Sequence, residues 1–149
     1  MKLIDVLMAD DNPDDRFLTK EAFFEADLKN KLSFVENGEE LMDYLNRKNK
    51  YEYLKSEPLP GLILLDLNMP RKDGREALKE IKSSLVLRKI PVVILTTSKA
   101  EEDIIKSYDL GVNSFILKPI SFDDFVDVVK TLSKYWFETV QLPPSFLIN

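Results

Sequence analysis

Five short apolar runs, alternating with stretches of helical spacing, constrain this chain more than any other feature of its sequence. The runs lie at residues 3–9, 32–36, 62–66, 91–96 and 114–117. Three contain a continuous apolar core: Leu62-Ile63-Leu64-Leu65, Val92-Val93-Ile94-Leu95 and Phe115-Ile116-Leu117. A strand with one face in water alternates polar and apolar residues, whereas a strand covered on both faces does not. A buried helix segment reads the same way over so few residues, but the shortness of the runs and their Ile and Val content favour strand.

Helical spacing fills the intervals. Ala77, Leu78, Ile81 and Leu85 fall on one stripe, and Phe122, Phe125, Val126, Val129, Leu132 and Trp136 on another. Phe17, Leu18, Phe24 and Leu28 give a third, with Asn12 placed to cap it and Pro13 at its first position. Residues 38–47 and 100–110 carry weaker helical patterns, the second stopped by Gly111. Ser121 followed by Asp124 is an acidic variant of a helix-start box. Regular strand–helix alternation with right-handed crossovers gives one parallel sheet flanked by helices. The expected fold class is therefore α/β, doubly wound, in a single domain, with ligands beyond the carboxyl ends of the strands.

The residues that close those strands are chemically distinctive. Asp10 and Asp11 follow the first run, Asp66 ends the third, Thr96 and Thr97 the fourth, and Lys118-Pro119 follow the fifth. Each has a bland reading alone: a helix cap for Asp10-Asp11-Asn12, a turn for Asp66, a strand end for Thr96, a surface charge for Lys118. Four such endings at one sheet edge form a candidate site. Gathered carboxylates repel by on the order of 4 kcal/mol per pair at about 4 Å and an effective dielectric near 20. A lysine relieves part of that, and a divalent cation relieves far more. The chain has no histidine and no cysteine, so imidazole and thiolate are excluded as ligand, base or nucleophile. An all-oxygen site selects Mg²⁺ or a similar hard ion, whose shell commonly includes a phosphate oxygen. Aspartate, with an ordinary pKa of about 3.9, is anionic at neutral pH and attacks phosphorus without a base. In this reading Asp66 is the nucleophile and Asp11, helped by Asp10, holds the metal. Lys118 pairs with Asp66 and then with a phosphoryl oxygen, and Thr96 donates a hydrogen bond to another.

At these residues the sequence resembles the response-regulator receiver family of two-component signalling. The matching motifs are Asp10-Asp11 in LMADDNPDDR, Asp66 in LILLDLNMPRKDG, Thr96 in PVVILTTS and Lys118 in SFILKPI, spanning residues 2 to about 133. The stretches DNPDDRFLTKEAF and TTSKAEEDI, with the tail from Trp136 to Pro144, resemble the stand-alone regulators of the cyanobacterial phytochrome type. The resemblance implies a flavodoxin-like five-stranded sheet of order 2-1-3-4-5 with Asp66 as phosphoacceptor. It implies Mg²⁺ held by Asp11, Asp66 and the Asn68 backbone carbonyl, with Asp10 acting through water. A cis Lys118-Pro119 peptide and a switch made of Thr96 and Phe115 also follow from it. A core role explains Phe115 as well as a switch does. The implied partner is a sensor histidine kinase, of phytochrome type on the finer resemblance, or a phosphotransfer protein. Such a chain is a signalling protein that catalyses only its own phosphorylation and dephosphorylation.

The sequence departs from the family at Thr97, where many receivers carry a smaller residue, and at Phe115, which lacks the commoner tyrosine hydroxyl. Residues 46–60 are longer than the family needs, as a solvated loop or a recognition element. Two other functions compete. A phosphatase of the haloacid-dehalogenase kind needs an acid two residues after its nucleophile, where Asn68 stands. A phosphorylation-independent docking module usually lacks an acid or the lysine, and this chain keeps them all. The net charge of −5, from 21 basic and 26 acidic residues, argues against nucleic acid as a partner. No apolar stretch approaches the roughly 20 residues of a membrane helix, and the early acidic residues do not suit a signal peptide, so a cytoplasmic location is expected. Residues 1–135 read as the receiver and 136–149 as a C-terminal extension with no output domain. That apolar tail packs on its own domain, is disordered or supports a homodimer, the last being the expectation, and Pro143-Pro144 stops any helix in it.

Overall fold

In the computed structural model, which describes residues 3–148, each apolar run supplies a strand. These are β1 (Val6–Ala9), β2 (Leu32–Val35), β3 (Leu62–Leu65), β4 (Val92–Thr96) and β5 (Ser114–Leu117), paired in parallel in the order β2-β1-β3-β4-β5. Between and after them lie α1 (Pro13–Glu25), α2 (Gly38–Asn46), α3 (Gly74–Ser83), α4 (Glu101–Leu110) and α5 (Phe122–Leu132). Alternate residues of a strand point to opposite faces, and here both faces are covered. Leu7, Ile63, Leu65 and Ile94 pack with Leu41, Leu45, Ala77 and Ile81 of α2 and α3. Met8, Leu62, Leu64 and Val93 pack with Ala22, Phe23, Phe125 and Val129 of α1 and α5. Each fully buried aliphatic side chain contributes about 1.5–3 kcal/mol, which is why β1 and β3 at the centre of the sheet carry only apolar residues.

Local signals place the helix ends. Asn12 Oδ1 accepts from the Asp14 N–H at 2.9 Å, with Pro13 at the first helical position. Ser121 Oγ accepts from the Asp124 N–H at 3.1 Å. Gly111 ends α4 at a φ of 100°, in the left-handed region that glycine tolerates.

Three predicted stripes need correction, and on α5 the change is small: Phe122, at its first position, is exposed while Phe125, Val126, Val129 and Leu132 are buried. On α1 the buried residues are Thr19, Ala22 and Phe23, whereas Phe17 and Phe24 are 61% and 81% exposed. The small Thr19 and Ala22 let α1 approach the sheet and α5 closely, and that packing turns the two phenylalanines outward. Leu85 lies past the end of α3 and is exposed. Residues 46–60 are only partly a solvated loop: a 3₁₀ turn (Asn49–Leu54) buries Tyr51 and Leu54 in the core.

Beyond α5 the chain continues as a π-helical turn (Ser133–Thr139) that buries Trp136. The extended segment after it packs on its own domain. The Leu59 N–H donates to the Phe146 carbonyl at 2.9 Å, and Phe146 and Ile148 lie against the core. Met1, Lys2 and Asn149, the ends of the predicted 1–135 and 136–149 segments, lie outside the described residues. Among the described residues no helix is long and apolar enough to cross a membrane.

The turn after β3 is tight. A Cβ on Gly74 would lie 2.2 Å from the Asp66 carbonyl oxygen and 2.7 Å from Leu67 Cα. Gly74→Ala should therefore cost roughly 1–3 kcal/mol in urea unfolding. An unchanged midpoint would contradict the close approach that fixes the loop from Asp66 to Gly74.

Candidate functional site

Strand register assembles the site. Ala9 of β1 is paired with Leu65 of β3, so Asp10 and Asp66 emerge side by side at the same edge. The Asp66 N–H donates to the Ala9 carbonyl and the Asp10 N–H to the Val35 carbonyl, each at 3.0 Å. Asp11 follows at the surface, and carboxylate oxygens of Asp10, Asp11 and Asp66 lie within 4.8 Å of one another. From the other side, β5 pairs Leu117 with Thr96 of β4 and delivers Lys118 one residue later. Its Nζ stands 2.6 Å from Asp10 Oδ2, 2.7 Å from Asp15 Oδ2 and 3.0 Å from Asp66 Oδ2. Asp66 Oδ1 accepts from the Thr96 hydroxyl at 2.7 Å and from the Asn68 N–H at 3.2 Å. The five side chains of the predicted site, Asp10, Asp11, Asp66, Thr96 and Lys118, are thus together.

Charge is not balanced here. Burial pushes the Asp10 carboxyl above the usual carboxylate range, against the pull of Lys118 and the Asn12 N–H, and the charge of Asp66 adds to the rise. Burial acts the other way on Lys118, but the carboxylates of Asp10, Asp15 and Asp66 outweigh it and hold the ammonium above the ordinary lysine value. The carboxyl groups of Asp10, Asp11, Asp15 and Asp66 gather around one ammonium, so the cluster carries surplus negative charge. Asp10 Oδ2 is buried and has the Lys118 ammonium at 2.6 Å as its partner. An all-oxygen donor set with surplus negative charge fits a divalent cation.

Sequence reasoning missed Asp15 and a neighbouring network. Asp15 sits one helical turn after Asp11, on the face of α1 that meets Lys118, and that spacing was the available signal. Beside the site, Arg75 of α3 makes a two-point contact with Asp103 of α4, Nε to Oδ1 at 2.7 Å and Nη2 to Oδ2 at 2.6 Å. That guanidinium, with the Ser98 hydroxyl, holds the Asp103 carboxyl down at about 2. Nothing in the motifs marks Arg75 or Asp103. Among the described residues no peptide bond is cis, so the Lys118–Pro119 bond is trans. Its X-Pro preference for trans, about 0.5–1 kcal/mol, goes unopposed. Thr97 is exposed at the rim, and Phe115 is half-buried against the core.

The family profile of the response regulator receiver domain matches residues 6–130. The chain belongs to the response regulator receiver family. Receivers work with histidine kinases as signalling proteins, and the finer likeness to phytochrome regulators is also present. Response regulator Rcp1 of Synechocystis sp. is 41% identical over 138 residues, 93% of this chain and 92% of Rcp1. The crystal structure of the phosphorylated cyanobacterial phytochrome response regulator RcpA matches with a TM-score of 0.88 at 40% identity, covering 95% of this receiver and 99% of RcpA. The Mn²⁺-bound form of Rcp1 matches at 0.85 and 40% identity, with 94% and 99% covered.

Two predictions concern these charges. Because ionised Asp10 is disfavoured by folding, Asp10→Asn should raise the urea midpoint of the receiver in metal-free buffer. A divalent ion at a hundredfold excess over its dissociation constant should stabilise the wild type by about 2.7 kcal/mol and the variant far less. Equal stabilisation of both would contradict a metal site at Asp10. Asp103, whose folded pKa is depressed, stabilises the fold fully above its unfolded value of 3.8 and loses that contribution as pH falls toward about 2. Asp103→Asn should therefore be weaker by about 1–2 kcal/mol at pH 7, and the gap should close between pH 4 and 2.

Proposed function

We propose that this chain takes a phosphoryl group from the phosphohistidine of a sensor kinase onto Asp66, with Mg²⁺ bound, and signals through Thr96 and Phe115. One observation carries the reading. Both oxygens of Asp66 are contacted by groups that transfer needs, the Lys118 ammonium at 3.0 Å and the Thr96 hydroxyl at 2.7 Å.

An Asp66 oxygen attacks phosphorus while the P–N bond to the donor imidazole breaks, its electron pair staying on the nitrogen. Lys118 and Thr96 then exchange carboxylate oxygens for phosphoryl oxygens, stabilising the charge that moves onto them. Mg²⁺, held by Asp11, Asp66 and the Asn68 backbone carbonyl with Asp10 through water, would neutralise the transferred oxygens. Attack of water on the acyl phosphate resets the site, and both steps are catalysed by the chain on itself. Rcp1 binds Mn²⁺ in its crystal structure, which supports a hard divalent ion here.

The switch is a rebalancing. Thr96 donates to Asp66, and Phe115 is half-buried. A phosphoryl group would strengthen the first contact and shift the population toward the inward arrangement of Phe115. Likeness to RcpA and Rcp1 supports a phytochrome-type histidine kinase as the donor, and a cytoplasmic setting accords with such a partner. A homodimer through the tail has less support, since Phe146 and Ile148 pack on their own domain while Leu147 stays exposed.

Intact-mass spectrometry after incubation with acetyl phosphate should show one added phosphoryl group that requires both Mg²⁺ and Asp66 and is absent from Asp66→Asn. Lys118→Met should slow the labelling roughly a hundredfold. Labelling that survives chelation or Asp66→Asn would contradict this site. No labelling from either acetyl phosphate or a phosphohistidine donor would favour a phosphorylation-independent docking module.

A further inference from the structure

Helix α4 is attached to the domain in an unusual way. Its buried residues are Asp103 and Ser107, both polar, and no side chain caps its start. A surface helix normally keeps its place by burying an apolar stripe. The first turn of α4 is held by charge instead. Arg75, at the second residue of α3, grips Asp103 by the two-point contact described above, which fixes orientation as well as distance. Ser98 Oγ donates to the same Asp103 Oδ2 at 2.6 Å. The Ser98 N–H in turn donates to Thr96 Oγ1 at 3.4 Å, and that hydroxyl donates to Asp66 Oδ1 at 2.7 Å. Contacts therefore run without a break from the guanidinium to the phosphoacceptor. A hydroxyl has one proton. An oxygen that accepts from Ser98 on one side is set to aim that proton at Asp66 on the other. The same guanidinium also reaches the loop on the far side of Asp66, with Nη1 3.4 Å from the Leu67 carbonyl and Nη2 3.4 Å from Asn68 Oδ1.

We propose that Arg75 and Asp103 are positioning residues for phosphoryl transfer: their ion pair sets Ser98, and through it the Thr96 hydroxyl, against Asp66. The inference rests on the receiver reading and adds to it two residues that never touch the phosphoryl group. Without the pair, the loop carrying Ser98 has to be ordered during each transfer instead of beforehand, which slows the reaction without changing the residue labelled. The same bonds anchor α4, so its first turn loosens together with the site.

The test is the rate of labelling by acetyl phosphate at saturating Mg²⁺, followed by intact mass on the full chain. Arg75→Lys keeps the charge and loses the fork. Asp103→Asn keeps the shape and loses the charge. Each should label roughly tenfold more slowly than wild type, and the double variant no more slowly than either. Hydrogen exchange should rise at residues 98–110 while β3 stays protected, which also shows that the variants remain folded. In a Thr96→Val chain, already slow, Arg75→Lys should have no further effect.

Unchanged rates in both single variants would overturn the proposal. So would equal slowing in the Thr96→Val chain, which would mark a general structural effect, or a rate loss with no change in exchange at 98–110. A wild type that takes no label would overturn the receiver reading and this inference with it. A labelled wild type with unaffected variants would overturn this inference alone.

Discussion

The Lys118 ammonium stands among the carboxylates of Asp10, Asp15 and Asp66, and the site takes its character from the charge that this one cation leaves uncompensated. The arrangement follows from the sheet. β1 and β3 are paired in register, so the residue after each strand lands beside its counterpart. β4 and β5 bring a hydroxyl and an ammonium to the same edge. Parallel strands buried on both faces make the backbone there rigid, and rigidity is what lets like charges be held together against their repulsion. Burial at this edge raises the Asp10 carboxyl above the usual carboxylate range, and the charge of Asp66 adds to the rise. A stability-optimised protein would replace the residue. In the function proposed above, a receiver keeps it because the surplus negative charge is the means of binding a metal ion, and so of bringing a phosphoryl group against a carboxylate.

Around this edge the domain divides into parts held by different forces. α1, α3 and α5 bury apolar residues against the sheet, while the buried residues of α4 are Asp103 and Ser107, and its Leu110 is only partly buried against the core. Elements with few buried apolar contacts open at lower free energy than the core does. A signalling domain needs such a division, because chemistry at a rigid carboxylate has to move something else. The tail adds a further restraint at the other end, where Phe146 bonds back to Leu59.

Strands were legible in the sequence because burial on both faces leaves continuous apolar runs, as in Leu62–Leu65 and Val92–Leu95. The site was legible because the residues closing four of the strands, β1, β3, β4 and β5, are polar and chemically specific. What stayed hidden has a common cause. Hydrophobic periodicity finds large apolar residues, and several buried positions here are small or polar. Thr19 and Ala22 decide how α1 packs, leaving Phe17 and Phe24 in water. The buried residues of α4 are Asp103 and Ser107, both polar, so a search for an apolar stripe finds little there. Arg75 and Asp103 lie 28 residues apart and meet only because α3 and α4 are neighbours. Asp15 lies in the first turn of α1, where an acid is unremarkable, and is also a partner of Lys118. The tail shows apolar residues but not what covers them, and their place against the core is a tertiary fact.

The central claim is that Asp66 becomes an acyl phosphate. Borohydride reduction of the labelled protein converts an aspartyl phosphate to homoserine, and peptide mass spectrometry then locates the converted residue. The account predicts homoserine at position 66 alone, formed only when Mg²⁺ and a phosphodonor were both present. Conversion at Asp10, Asp11 or Asp15 instead, or a stable phosphate that borohydride does not reduce, would contradict it.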